Sequence, residues 1–430
     1  MRRSHDVRVE AASIITTAHD HVDERVHDRE DLSDLGGQQR GSAVDVQYTG
    51  LTGGNKSRHP GGPEMRIVPH ARLLPVFLLL AGLAAGCAPA GGTSEMTRPG
   101  AMPDTGAVGP QASWPDSLRE PDPGAGLRGM LIVTQNSGSA VAFLNPDSKR
   151  AFAYVRVGFS PRELTVSPDQ SRIYVVNYDG GQYGAGTISV LSTRSRQEID
   201  RLDFYPYGRF HGLACARSGI YLYVASETRR SVLEINLLSR LIERTFVLPH
   251  GSPHQVALDP SETRLYVTNA DGPTLFAVNL AGGEIQETRV GAGPEAVVVS
   301  PDGSSVWVAN RDDGTVSVLD PYTLGSIAVM GSGRAPVRIA FSADAGRAYV
   351  VNAGEAAVAV FDARTRVRLG SIPVGNYPLG IALDPDGSRA WVASTRDDEL
   401  SVIDLATNTV AERVNVGPEP FALAWVVGGR

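Results

Sequence analysis

The stretch Leu265-Tyr266-Val267-Thr268-Asn269, followed after a short turn by Leu275-Phe276-Ala277-Val278-Asn279, reads as two alternating β-strands. The first strand carries an aromatic, a valine, a small residue and an asparagine in that order. The same phrase recurs along the chain. Aligned on its aromatic position, the copies fall at Ile132, Tyr174, Tyr223, Tyr266, Trp307, Tyr349 and Trp391, with spacings of 42, 49, 43, 41, 42 and 42 residues. Three residues after each comes Gln135, Asn177, Ser226, Asn269, Asn310, Asn352 or Ser394. Upstream, turns such as Pro301-Asp302-Gly303 and Pro385-Asp386-Gly387 join one strand to the next, because Pro pre-sets φ and Asp or Gly completes the reversal.

A period in the low forties built from short strands predicts a β-propeller with four strands per blade. One repeat divides as Ala296–Val299, Val306–Ala309, Thr315–Leu319 and Ser326–Met330. The body opens on a second-strand phrase at Leu131-Ile132-Val133-Thr134 and closes on an inner-strand phrase at Pro420-Phe421-Ala422-Leu423-Ala424-Trp425. Inner and second strands each number seven, so the last inner strand must complete the first blade. The expected fold class is all-β: a seven-bladed propeller closed by its C-terminal strand, needing no capping repeat.

The blade positions fix the core as well. Thr165, Ala214, Ala257, Val298, Ala340, Ala382 and Ala424 lie nine residues before the aromatic, where crowding near the axis favours small side chains. Val166, Cys215, Leu258, Val299, Phe341, Leu383 and Trp425 follow and should wedge between blades. Cys215 then reads as a buried apolar residue, not a nucleophile.

With these residues in place, the chain resembles the seven-bladed YVTN-repeat propellers. Tyr266-Val267-Thr268-Asn269 is that motif verbatim, and Tyr174-Val175-Val176-Asn177, Trp307-Val308-Ala309-Asn310 and Tyr349-Val350-Val351-Asn352 are close variants. The resemblance covers residues 128–430. It implies the fold; the wider group includes bacterial lactonases, haem d1 domains of nitrite reductases and many extracytoplasmic proteins. The matching motif is the structural one, so it carries over no catalytic residue.

The amino-terminal part has a different character. Residues 1–64 are polar and aperiodic, the composition of a disordered or untranslated extension. Residues 65–86 read as a signal peptide: Met65-Arg66 and Arg72 supply positive charge, and Leu73–Ala85 is apolar. Such a signal belongs at a chain start, which places the expected start at Met65. Leu83-Ala84-Ala85-Gly86-Cys87 resembles the lipobox of bacterial lipoproteins, with Ala84 where Leu is commoner. The resemblance implies lipidation of Cys87 and a membrane-anchored, periplasmic or cell-surface protein. Residues 87–127 are rich in Pro, Gly and Ser and read as a flexible linker.

Composition excludes several classes. The net charge is −7, without a basic footprint for nucleic acid. Two cysteines, Cys87 and Cys215, exclude a disulfide framework and a multi-cysteine zinc site. There is no Gly-x-Ser-x-Gly elbow, no His-Glu-x-x-His and no calcium loop.

A propeller ligand sits over the axis, where the blades converge. Twelve residues before each aromatic, where the inner strand begins, stand Arg162, His211, His254, Glu295, Val337, Leu379 and Phe421. Four neighbouring blades thus supply polar groups and three supply apolar ones. His211 and His254 with Glu295 suit either a divalent metal or an acid–base pair, and Arg162 suits an anionic group. The same seven positions are equally compatible with ordinary solvent-facing loops. His250 lies in a loop leading to the ring. Two Tyr- and Gly-rich insertions, Tyr178–Gly186 and Phe204–His211, lie beside His211, making Tyr183 and Tyr207 further candidates for ligand contact. Three functions remain open: an anchored scaffold binding an envelope protein or small molecule without catalysis, a lactonase-type hydrolase, and a haem d1-like tetrapyrrole carrier. No particular cofactor is indicated, and a monomer is expected.

Overall fold

A computed structural model of the protein describes residues 120–123, 127, 129–179 and 186–427. Cys87, the signal segment, residues 1–64, most of the linker and Tyr183 lie outside the described residues.

The described chain forms 28 strands in seven antiparallel sheets of four. Numbered in chain order, the inner strands are β4 (Phe159–Val166), β8 (Phe210–Cys215), β12 (Pro253–Leu258), β16 (Pro294–Val299), β20 (Pro336–Phe341), β24 (Pro378–Leu383) and β28 (Pro420–Val427). The last inner strand joins the first three strands of the chain in the order β28-β1-β2-β3, with β1 at Gly129–Gln135, β2 at Ala140–Asn145 and β3 at Arg150–Arg156. In that seam Leu131 lies opposite Trp425, Ile132 opposite Ala424 and Val133 opposite Leu423. Closure there leaves no unpaired inner edge in the ring.

Seven buried clusters hold the ring together, each drawn from two adjacent blades. At the seam, Trp391, Ala393, Leu400 and Val402 pack against Leu131, Val133, Ala142 and Leu144. All seven repeat-aromatic positions are buried. The residues expected to wedge between blades pack against these clusters; Cys215 is partly buried there, not fully buried as expected, and desolvation pushes its thiol up to about 11.

The asparagines of the phrase satisfy the ends of the strands. Asn177 Nδ2 donates to Thr187 Oγ1 at 3.0 Å and Ser189 Oγ at 2.9 Å. Asn310 Nδ2 repeats this with Thr315 and Ser317 at the same two distances. Each amide nitrogen thus finds two acceptors on the neighbouring strand, while Oδ1 of both residues has no hydrogen-bond partner among the described residues.

The end of the linker is bonded to the body. Glu120 N donates to Ala151 O at 2.9 Å, Asn145 Nδ2 donates to Glu120 Oε1 at 2.9 Å, and Arg196 pairs with Asp122 at 2.6 Å.

Antiparallel order places the start of every inner strand and the loop after every second strand on one face. That face carries the polar cluster described next.

Candidate functional site

Arg162 on β4, His211 on β8, His254 on β12 and Glu295 on β16 come from four consecutive blades and form one contiguous row. Arg162 Nη1 lies 3.5 Å from His211 Nε2. The two imidazole rings stack with centroids 3.6 Å apart and planes tilted by 33°. His254 Nε2 bonds Glu295 Oε1 at 3.0 Å. The histidines are not solvent-facing loop residues: His211 is 3% exposed and His254 9%. Each sits early in its inner strand, where the seven chains come closest to the axis and neighbouring side chains meet.

A second group arrives from the ends of the second strands and the loops that follow them. Tyr178, Glu227 and Arg311 each stand four residues after a repeat aromatic. Tyr178 Oη donates to Glu227 Oε2 at 2.9 Å, and Arg209 Nε donates to the same oxygen at 3.2 Å. Arg209 also bonds the Tyr178 hydroxyl. Glu227 Oε1 stands 3.5 Å from His254 Nδ1, an ion-pair distance without hydrogen-bond geometry. Arg311 Nη1 pairs with Glu295 Oε2 at 3.2 Å. The Arg162 guanidinium lies over the Tyr178 ring at 4.0 Å, with Phe421 5.8 Å away, so aromatic faces hold it in place.

These surroundings drive the two histidines apart in charge. For His211, burial disfavours the charged form, and His254, Arg162, Arg338 and Arg209 oppose it further, so the imidazole is held neutral, well below its usual range. For His254, burial also opposes charge, but Glu295 and Glu227 outweigh it and raise the group to about 9. Glu295 stays ionised: burial would raise it, yet His254, Arg311 and Arg338 bring it down to about 2. Glu227 is also held low, with burial overcome by His254, Tyr178 and Arg209. A neutral imidazole therefore stacks on an imidazolium clamped between two carboxylates.

Three buried nitrogens of the row have no hydrogen-bond partner among the described residues: Arg162 Nε, His211 Nδ1 and His254 Nδ1. Arg162 is a permanent donor facing His211 Nε2, so the geometry assigns the proton of neutral His211 to Nδ1. Arg162 Nε and His211 Nδ1 are then donors awaiting an acceptor, while His254 Nδ1 faces the Glu227 carboxylate, and free donors of this kind suit an oxyanion or a polarised carbonyl.

A metal fits less well. Donor atoms of His211, Glu227 and His254 lie within 4.8 Å of one another, close enough for an ion. However, His211 Nδ1 carries the proton in this arrangement, and His254 holds a proton toward each carboxylate. The guanidinium groups of Arg162, Arg209, Arg311 and Arg338 add positive charge around the cluster.

The remaining expected residues fall elsewhere. Tyr207 packs with Phe204 against the core between two blades. His250 is exposed and pairs with Glu287 at 2.8 Å. Val337 belongs to an inter-blade core and Leu379 packs against it, so only Phe421 of the apolar three meets the polar row. Tyr178, Glu227, Arg311 and the pair Glu163–Arg338 are absent from the expected set. Extending the repeat register to four residues after and eleven before each aromatic isolates them. Arg209 lies in an insertion and has no such register.

Residues 150–414 match the family described as lactonase, seven-bladed β-propeller. No curated protein matches by sequence. The periplasmic gluconolactonase of Pseudomonas aeruginosa is 20% identical, superposes with a TM-score of 0.60 and aligns over 70% of this chain and 99% of its own. Hydrazine synthase of Kuenenia stuttgartiensis is 17% identical over 68% of this chain and 99% of its own, TM-score 0.58. The dihydro-haem d1 dehydrogenase NirN is 16% identical over 70% of this chain and 65% of its own, TM-score 0.54. Likeness at these identities shows the fold alone. The match over residues 150–414, more than half of the sequence, shows that the chain belongs to the lactonase family of seven-bladed β-propellers.

Proposed function

We propose that the protein hydrolyses a lactone at the polar row on the axial face of the propeller. The observation that carries this reading is the pair of unpartnered buried donors Arg162 Nε and His211 Nδ1, beside the His254–Glu227 ion pair, whose Nδ1 and Oε1 stand 3.5 Å apart without a hydrogen bond. Ester hydrolysis needs a stabilised oxyanion, a base for water and an acid for the leaving oxygen. Arg162 Nε and neutral His211 Nδ1–H donate to the carbonyl oxygen. Glu227 takes a proton from water as the water oxygen bonds to the carbonyl carbon. The ring C–O bond then breaks, and the leaving ring oxygen takes a proton from the His254 imidazolium. Glu227 and His254 stand 3.5 Å apart, so the proton gained by the first returns to the second and restores the starting state. Two groups whose environments push their proton affinities apart suit such acid and base roles.

Charge favours an anionic substrate or product. Arg162 makes no ion pair among the described residues and can hold a carboxylate or phosphate. The gluconolactonase of Pseudomonas aeruginosa makes aldonolactones the first substrates to assay. The test is ring opening of neutral and acidic aldonolactones above the spontaneous rate. A rate equal to the spontaneous one across the panel defeats the proposal and leaves a non-catalytic binding scaffold.

The tetrapyrrole reading has less support, because Val337 and Leu379 face the core instead of widening an apolar pocket. We further propose that the enzyme is exported and lipid-anchored through Cys87, on the strength of the apolar Leu73–Ala85 run and the small residues before that cysteine. Intact-mass measurement of the native protein tests both: it should begin at a lipid-modified Cys87, and a peptide from residues 1–64 contradicts the start at Met65.

A further inference from the structure

Beneath the polar row, one residue further along each inner strand, stand Glu163, Gly212, Gln255, Ala296, Arg338, Gly380 and Ala422. Four of the seven are Gly or Ala, as a crowded axis demands. A Cβ at Gly212 would lie 2.2 Å from Gln255 Oε1, and one at Gly380 would lie 2.1 Å from Phe421 O. Yet two long charged side chains also occupy this ring. Arg338 Nη2 on β20 pairs with Glu163 Oε1 on β4, and both side chains are largely buried. Three other blades lie between β20 and β4 in one direction round the ring and two in the other, so the pair spans the axis itself. Arg338 Nε also donates to Leu379 O at 3.3 Å.

Packing does not require this pair. A buried ion pair loses about as much by desolvation as it gains by attraction, and apolar substitutes are often as stable. Small residues already fill the same ring in neighbouring blades. The pair is the one ion pair of this ring among the described residues, with Glu163 following Arg162 of the polar row on β4 and Arg338 following Val337 on the far side of the axis.

We propose that Glu163 and Arg338 form a charged strap across the axis, closing the floor of the pocket, and that Arg338 is a positioning residue that fixes the charge state of the histidine pair above it. The proposal rests on the hydrolytic reading of that pocket. The groups facing His211 are Arg162 from β4, Tyr178 from the end of β5 (Arg172–Asp179), Arg209 ahead of β8, Glu227 after β9 (Tyr221–Ser226), His254 from β12 and Arg338 from β20. Glu227 pulls toward protonation; the arginines and His254 oppose it. Arg338 acts on both His211 and Glu295, disfavouring charge on the first and favouring it on the second. Without Arg338, neutral His211 loses one of its guards and can take up the proton that would disable it as a carbonyl donor in its present tautomer.

The test is a histidine NMR titration of the intact protein labelled at its imidazoles, with His211 assigned through the spectrum of His211→Gln. In the parent protein His211 begins to take up its proton only at the acid end of the range in which the fold persists, and the onset of that change is the reference. In Arg338→Met that onset rises by about one pH unit, the order of shift expected for removing one nearby charge in a partly polar interior. Glu163→Gln breaks the same strap but keeps the guanidinium, so His211 stays neutral; a merely structural strap would give the two variants the same response. If Arg338→Met does not fold, the double variant Glu163→Gln/Arg338→Met, which leaves no unpaired charge, replaces it and should show a smaller upward shift. Arg338→Lys restores the parent behaviour. An unmoved His211 in Arg338→Met, or in the double variant, overturns the proposal. The titration needs no turnover, so loss of the hydrolytic reading and loss of the strap's role are separately visible. If hydrolysis is found, the acid limb of kcat/KM must move up in Arg338→Met and stay in place in Glu163→Gln.

Discussion

His211 and His254 stack at 3.6 Å with only one of them charged. Two imidazoliums at that distance in a buried site would repel strongly, so the pair shares a single positive charge. The two glutamates assign it to His254, and the arginines deny it to His211.

The charge on His254 makes the fold sensitive to alkali. Its folded-state proton affinity is raised from 6.5 to about 9, so the stabilisation is complete below pH 6.5 and is lost as pH rises through about 9. The loss is on the order of 3 kcal/mol. Chemical denaturation between pH 6 and pH 10 should show it, and Glu295→Gln should move the decline toward pH 6.5. A denaturation midpoint constant over that range contradicts the assignment.

Catalysis should follow the same group. Loss of the His254 proton removes the acid for the leaving oxygen, so the basic limb of the rate profile is expected near pH 9 in the parent and lower in Glu295→Gln.

Arg162→Met removes a carbonyl donor and the unpaired cation together. Losing one preorganised donor typically lowers kcat by about 100- to 1000-fold. KM for an acidic lactone should rise more than KM for a neutral one. Steady-state kinetics on both classes checks this, and an equal KM change for the two removes the anion-binding role.

Trp391 is fully buried in the cluster at the closing seam, with Nε1 bonded to Asp384 Oδ1 at 2.6 Å. Trp391→Ala should destabilise by about 3–5 kcal/mol, from cavity formation with the loss of one hydrogen bond to Asp384, whose other oxygen keeps Arg389. Urea unfolding measures it. Deleting residues 418–430 should abolish soluble protein, because β1 would become an open edge and Thr134 Oγ1 would lose Ala422 N as its bonding partner.

The architecture was legible because the repeat records packing. Tyr266 and its six counterparts are buried between blades, and their spacing therefore gives the blade count, the register and the seam between Leu131 and Trp425. The row Arg162, His211, His254 and Glu295 was legible by the same ruler, since it breaks an otherwise apolar set. Its chemistry was not. Glu227 and Arg311 fall at a position where other blades carry Ala270, Ala353 and Thr395, and a single repeat unit gives no reason to pair them with residues one blade away. Glu163 and Arg338 meet only because the ring closes, so their contact has no trace in local sequence. Tyr207 falls in the Tyr- and Gly-rich insertion as the sequence indicates, and its partly buried ring packs beside Phe204 against an inter-blade core, a contact that loop composition alone does not encode.

The most direct test of the account is the rate of aldonolactone ring opening by the parent protein and by the double variant His211→Ala/His254→Ala, each verified as folded. The account predicts hydrolysis well above the spontaneous rate in the parent and a fall of at least about 100-fold in the variant. A parent rate equal to the spontaneous one, or a variant as active as the parent, contradicts it.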